Sequence, residues 1–403
     1  MFSFDAASIV SCPRADAVQR ILSAALQAAD SANAVRRAAA RVGGALDVRG
    51  QHYDLSGAGL VHVLAVGKAA IGMAQAILPL VEDHLAGGLV VAKHASRRTL
   101  GRLAVMEAGH PIPDERSLEA GRRALDLLSQ LRADDLLVCL ISGGASALVT
   151  APRDGVTLDE IQKTTSNLMR SGASIFELNE ARQKLDRLKG GGLARLAYPA
   201  RVVSLILSDV IGDRIDVIAS GPTAPREGES FEHVQNLVIG SNEQSAEAAR
   251  EQAAREGFHA RVLTTSLHSE AREAGRMLAG ELRQSSPRPL CLVAGGETTV
   301  TVTGGGLGGR NQELALAAAL EMDGLENVLL VSLATDGDDG VTGAAGAAVN
   351  GQTLSRARAL GLDAADFLRR NDSYHFFAPL NDLLVTGPTG TNVNDLVFLF
   401  AFQ

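Results

Sequence analysis

At 403 residues the chain is long for one domain and suggests two. A formal net charge of −8, three tyrosines and no tryptophan leave little with which to grip nucleic acid or an acidic membrane, so neither is an expected partner. No apolar run reaches transmembrane length, the N-terminus lacks a charged-then-apolar signal pattern, and a cytoplasmic location is expected.

Taken in order, residues 13–41 are amphipathic and alanine-rich and predict a helix. Cys12, Cys139 and Cys291 lack metal-site spacing and read as small buried residues in a reducing compartment. Residues 61–66 (Val-His-Val-Leu-Ala-Val) predict a buried strand that ends at Gly67-Lys68 and turns into a helix over 69–80. Walker A is excluded, because His62 and Ala69 stand where it requires Gly and Ser or Thr. Residues 88–92 predict the next strand, and Asp114 is placed to cap a helix running to Leu131. His110, before a proline in that loop, reads as structural.

A strand over 136–141 runs into Ser142-Gly143-Gly144-Ala145-Ser146. Capping alone needs no Gly-Gly, so this loop reads as a holder of phosphate or carboxylate. Residues 157–187 predict two helices broken near Gly172, followed by Lys189 and three glycines. A strand over 202–207 empties into Ser208-Asp209, and the polar stretch 224–230 marks a boundary.

The second half predicts strands over 237–239, 260–264, 290–293, 298–303 and 328–333, and helices over 243–256, 268–283 and 311–322. Between the strand at 298–303 and the helix at 311 lies a loop nearly without side chains, residues 304–309, with Arg310 and Asn311 at its mouth. Strand, glycine loop and helix N-terminus together predict an anion site. Gly304, Gly306 and Gly309 fit Gly-x-Gly-x-x-Gly, but no acidic residue ends the next strand at the dinucleotide spacing. Asp336, Asp338 and Asp339 form an acidic glycine loop, read either as a solvated turn or as Mg²⁺ ligands.

The alternation implies two α/β domains with largely parallel sheets, over residues 1–232 (Rossmann-like) and 233–403, with the active site expected in the cleft between them.

These loops together resemble the class II glycerate kinases, the MOFRL family, some of whose members carry the name hydroxypyruvate reductase. The matching segments include Val66-Gly67-Lys68-Ala69-Ala70, Gly109-His110-Pro111-Ile112-Pro113-Asp114, Ser208-Asp209-Val210-Ile211-Gly212-Asp213, Gly295-Gly296-Glu297-Thr298, Gly308-Gly309-Arg310-Asn311-Gln312-Glu313 and residues 386–396. The resemblance implies ATP-dependent phosphorylation of D-glycerate to 2-phosphoglycerate, with Mg²⁺. It places the family's essential lysine and arginine on Lys68 and Arg310. Ser142, Gly143, Gly144, Ser146, Asp209, Glu297, Gly306, Gly308, Asn311, Thr389 and Asn392 are the expected substrate and phosphate contacts, with Asp336 for the metal. Asp209 or Glu297 would orient the acceptor hydroxyl; nothing in the sequence selects between them.

The chain departs from the usual pattern at Ala145, a glycine elsewhere, at Asp186, commonly serine, and at Gly192, commonly arginine. The segment 341–346 also lacks one usual carboxylate. The rival readings are an NAD(P)H-dependent hydroxypyruvate reductase and a non-catalytic nucleotide or sugar-acid binding protein. A homodimer is left open.

Overall fold

The computed structural model describes residues 4–57, 59–172 and 175–403. It divides the chain into two compact units: Ser31–Ser241, and Met1–Asp30 together with Asn242–Gln403.

The unit Ser31–Ser241 is built on strands β1 (Val61–Val66), β2 (Leu85–Ala92), β3 (Leu103–Glu107), β4 (Leu136–Ile141), β5 (Arg201–Leu207) and β6 (Val234–Gly240). They lie in the order β6-β5-β4-β1-β2-β3, all parallel, with the short strand Thr99–Leu100 antiparallel on the β3 edge. All six residues of β4 are buried, as expected of a parallel strand covered on both faces. The chain grows outward from β1 to β3, then returns to the other side of β1 as β4. That reversal opens a crevice at the strand C-termini, where open α/β sheets hold ligands. Val66 pairs with Ile141, so Gly67 and Ser142 leave the sheet side by side. Asp114 caps the helix Glu115–Ser129 as predicted, accepting from the Ser117 amide at 3.0 Å in a capping box. The predicted helix pair is Leu158–Arg170 and Ile175–Leu185; residues 173–174 lie outside the described residues.

The single helix expected over 13–41 is two, Ala15–Ala29 and Ser31–Ala38, because Asp30 takes an extended ψ of 123°. The division between units falls at that break. A strand, Ala39–Val42, then opens a three-stranded antiparallel sheet with Ala45–Val48 and Gln51–Asp54.

The other unit carries β7 (His259–Leu267), β8 (Leu290–Gly296), β9 (Val328–Ala334), β10 (Gly346–Asn350), β11 (Leu383–Leu384) and β12 (Asp395–Ala401) in the order β7-β8-β12-β9-β10-β11. Only β7 and β8 are parallel. This sheet is mixed because β12 follows β11 with no crossover helix between them, so it enters antiparallel between β8 and β9. Its residues alternate between two cores. Val397, Leu399 and Ala401 meet the helices Ala271–Gln284 and Arg310–Met322; Leu396, Phe398 and Phe400 meet Ala15–Ala29 and Asn242–Arg255.

That packing explains where the structure differs from a boundary at 232/233. Val18, Ile21, Leu22 and Leu26 bury their apolar stripe against this second sheet, drawing the N-terminal residues into its unit. Residues 234–240, meanwhile, complete the first sheet as β6. The strand expected over 298–303 is also absent apart from an isolated bridge at Thr299. Side chains take the polar groups a ladder would use. Glu270 accepts from the Thr301 amide and from the hydroxyls of Thr299 and Thr301, and Asn371 accepts from the Thr303 and Gly304 amides. Among the described residues, no helix is long and apolar enough to cross a membrane.

Candidate functional site

In the unit Ser31–Ser241 the loops after β1 and β4 are stitched together. The Lys68 amide donates to the Gly143 carbonyl at 2.9 Å, and the Ala69 amide donates to Ser142 Oγ at 3.1 Å. Ser142 is therefore scaffold: it is 1 % exposed and its hydroxyl holds the neighbouring loop. Gly143 is demanded by close approach, since a Cβ there would lie 1.8 Å from Asp209 Oδ2. Gly144 holds φ at 85°, and a Cβ on it would come within about 3 Å of the His110 ring and 3.5 Å of Lys68 Cγ. Lys68, His110, Gly143, Gly144 and Asp209 are thus brought together at the strand ends.

Ser146 Oγ lies 2.8 Å from Ser220 Oγ, which donates to Asn179 Oδ1 at 2.7 Å. Ala219 and Ser220 both hold positive φ, a backbone cost that clusters at working sites. Behind this loop, buried Lys189 donates to Asp186 at 2.5 Å, and Asp186 also accepts from the Ala151 and Leu188 amides. The unusual Asp186 is therefore the counter-ion of Lys189.

The His110 imidazole is pushed down from 6.5 to about 4, first by burial and then by the charges of Lys68, Lys93 and Arg182. Lys93 and Arg182 are the residues that sequence reading missed here. Lys93 had a signal, because it follows the strand β2 as Lys68 follows β1. Arg182 had none; it reaches the site through the tertiary placement of the helix Ile175–Leu185.

In the other unit the site residues again gather at one sheet edge: the C-termini of β8 and β9 and the N-terminus of β12. Arg310 opens the helix Arg310–Met322. Its Nε and Nη2 donate to the two carboxylate oxygens of Asp395 at 2.5 and 3.0 Å, and its Nη1 lies 2.8 Å from Glu297 Oε1. Burial opposes the Arg310 charge, but Asp395 and Glu297 outweigh it and raise its pKa. Burial pushes the Asp395 carboxyl up to about 6, and Asp339 adds to this against the pull of Arg310. Asn242 fixes the start of β12 from behind, donating to the carbonyls of Val393 and Asp395 at 2.8 and 2.9 Å.

The anion cradle expected at this helix start is filled by the protein itself. Asp339 accepts from the Asn311 and Gln312 amides at 3.0 and 2.9 Å, so its carboxylate sits where an anionic ligand was expected. Asn311 is buried and bonded to Ser332 at 2.7 Å. The glycine loop is committed as well. The Gly306 amide donates to the Arg370 carbonyl, the Leu307 amide to Asp372, and a Cβ on Gly308 would strike Ser373 Oγ at 2.2 Å. Gly306 and Asn311 thus make internal hydrogen bonds, and Gly308 packs against Ser373.

Thr389 Oγ1 donates to the Thr335 carbonyl at 2.6 Å, and the Thr389 amide donates to the Asp336 carbonyl at 3.2 Å. Asn392 lies in the same turn and accepts from the Asn394 amide at 3.1 Å. Asp336 is half-buried at the end of β9 and accepts from the Asp338 amide. Among the described residues, no group of three or more His, Cys, Asp or Glu side chains is arranged to hold a metal.

The comparisons give this architecture its class. A family model described as a domain of unknown function (DUF4147) matches residues 17–253, and the MOFRL family model matches residues 290–395. The D-glycerate 2-kinase of Thermotoga maritima is 43% identical over 84% of this chain and 89% of its own. The glycerate 2-kinase of Pyrococcus horikoshii is 38% identical over 94% and 95%. An Agrobacterium vitis relative with a provisional hydroxypyruvate reductase name is 36% identical over 83% and 97%. A crystal structure of the Thermotoga maritima glycerate kinase superposes with a TM-score of 0.86 at 39% identity, covering 96% of this chain and 99% of that one. Fold and sequence together define a two-unit α/β protein of the DUF4147–MOFRL architecture. The chain belongs to the class II glycerate kinase family.

Proposed function

We propose that this chain is a glycerate kinase that transfers the γ-phosphoryl group of ATP to the 2-hydroxyl of D-glycerate. The observation that carries the reading is the gathering of Lys68, His110, Gly143, Gly144 and Asp209 at the strand ends where the strand order reverses. Phosphoryl transfer asks a protein mainly for positioning and for neutralised charge. The glycerate hydroxyl attacks the γ-phosphorus, its bond to the β,γ-bridging oxygen breaks, ADP departs, and the hydroxyl proton passes to a carboxylate. Asp209 is the better candidate for that carboxylate, because it lies against the Gly143 loop beside Lys68 whereas Glu297 is engaged by Arg310.

Asp336 would be a carboxylate ligand to magnesium ion, which binds mainly through nucleotide phosphates and keeps several waters. The ion would supply charge neutralisation on those phosphates. Arg310, held by Asp395 and Glu297, keeps N–H groups on Nη1 and Nη2 beyond these contacts for a substrate oxygen. The reductase reading is disfavoured because, in the glycine loop at 304–309, the Gly304, Gly306 and Leu307 amides are committed to Asn371, Arg370 and Asp372. Phosphorus NMR of a reaction with D-glycerate, ATP and Mg²⁺ tests the proposal. A 2-phosphoglycerate resonance that needs Mg²⁺ supports it; 3-phosphoglycerate as the product refutes the position of transfer.

A further inference from the structure

Asn242 opens the helix Asn242–Arg255 and is buried behind the strand start that carries Asp395. Its Nδ2 donates to the carbonyls of Val393 and Asp395 at 2.8 and 2.9 Å. One carboxamide thus clasps the backbone on both sides of Asn394. Asn394 holds φ at 66°, in the left-handed region, and its carbonyl accepts from the Thr335 amide at 3.1 Å and from Thr335 Oγ1 at 2.7 Å. The next residue, Asp395, sends its carboxylate to Arg310. A backbone pinned in this conformation fixes the direction in which that carboxylate leaves the chain.

The other end of the carboxamide faces β8. With Nδ2 committed to two carbonyls, Oδ1 is turned towards Gly295, where a Cβ would lie 1.8 Å from it. Gly295 pairs with Leu396 and Gly296 with Asp395, and Glu297 follows directly. Asn242 therefore lies against both the strand end that delivers Glu297 and the strand start that delivers Asp395, the two acceptors of Arg310. Among the described residues, the buried Oδ1 receives no hydrogen bond. A buried acceptor without a donor costs stability, so fold stability alone does not account for a carboxamide here.

We propose that Asn242 is a positioning residue for Arg310. It acts through the backbone that carries Asp395 and Glu297, holding these two carboxylates at the spacing that grips Nε, Nη2 and Nη1 of the guanidinium. A planar two-pronged contact tolerates little displacement of its acceptor, so a shift at the start of β12 is passed directly to the arginine. That the oriented arginine serves glycerate phosphorylation rests on the kinase reading above; that Asn242 orients it does not.

The test uses two variants of the full chain. Asn242→Asp keeps the shape but replaces the donating NH2 with oxygen, and Gly295→Ala presses on the same carboxamide from β8. With arginine labelled for NMR, the Arg310 Nε–H signal is identified by its absence in Arg310→Lys. In either variant that proton should exchange with solvent at least tenfold faster. The kcat/KM for D-glycerate should fall at least tenfold, on whichever of kcat and KM Arg310→Lys moves. Adding Asn242→Asp to Arg310→Lys should cost less than twofold more, whereas a merely structural residue costs the same factor in both backgrounds. Unchanged Arg310 exchange or unchanged kcat/KM in folded Asn242→Asp, or the full tenfold loss in the Arg310→Lys background, would overturn the proposal. If neither variant folds, native-state exchange of the unsubstituted protein decides: the Asn242 Nδ2 and Arg310 Nε protons should respond to denaturant alike, as parts of one opening unit, and unlike responses overturn it. Faster Arg310 exchange in a chain that does not phosphorylate glycerate would keep the role of Asn242 and remove the kinase.

Discussion

Asp395 closes both prongs of the Arg310 guanidinium, at 2.5 and 3.0 Å, and Glu297 takes a third position at 2.8 Å. The arginine at the start of this helix is thus locked in one orientation by the first residue of β12. Lysine cannot reproduce a two-pronged contact. Arg310→Lys should cost about 10² or more in kcat/KM, equivalent to about 2.7 kcal/mol of transition-state stabilisation. Because the pair is also structural, Arg310→Lys and Asp395→Asn should each lower unfolding stability by about 1–3 kcal/mol in denaturant titration. Near-normal kinetics in Arg310→Lys would remove this residue from the site.

Asp339 caps the helix Arg310–Met322 from the loop after β9, its two carboxylate oxygens accepting the amides of Asn311 and Gln312. Asp339→Ala should cost about 1–2 kcal/mol of stability. The Mg²⁺ concentration giving half-maximal rate should stay within twofold in whatever activity remains. A large rise in that Mg²⁺ requirement would reassign Asp339 to the metal.

His110 should titrate near pH 4 by NMR, and Lys68→Met should raise its midpoint by removing one of the cations that depress it. The sign for stability follows. With the folded pKa below the ordinary 6.5, the neutral ring contributes stability above pH 6.5 that is lost as pH falls from 6.5 towards 4. A midpoint near 6.5 in the native protein would contradict both the burial of the ring and the cations that add to it.

Gly143→Ala would drive a methyl group to 1.8 Å from Asp209 Oδ2, whereas nothing lies within 4 Å of a Cβ on Gly305. Gly143→Ala should lower kcat/KM at least tenfold and Gly305→Ala less than twofold, measured side by side. Equal tolerance at both positions would sink the claim that the Gly143 loop and Asp209 form one site.

Much of this was legible because it is written locally. β1 and β4 are apolar runs ending at glycine, so Gly67-Lys68 and Ser142-Gly143-Gly144 declare both the strands and the loops that leave them. Asp395 was not legible as the arginine's partner, since an acidic residue opening a strand carries no local mark of what lies across from it. The amides of the 304–309 loop looked open to an anion because Asn371 and Asp372, which take those of Gly304 and Leu307, lie some 65 residues further along. The N-terminal helix misled for a similar reason: its apolar stripe says that it packs, but not against which sheet.

Whether this chain phosphorylates glycerate can be read in a single preparation. The most direct measurement is a pair of coupled assays on one preparation: ADP release from D-glycerate with ATP and Mg²⁺, and NADH oxidation with hydroxypyruvate. A glycerate kinase gives D-glycerate-dependent ADP release that stops with excess chelator and returns with Mg²⁺, and no NADH oxidation. NADH consumption with hydroxypyruvate, without ADP release from D-glycerate, would contradict the kinase reading.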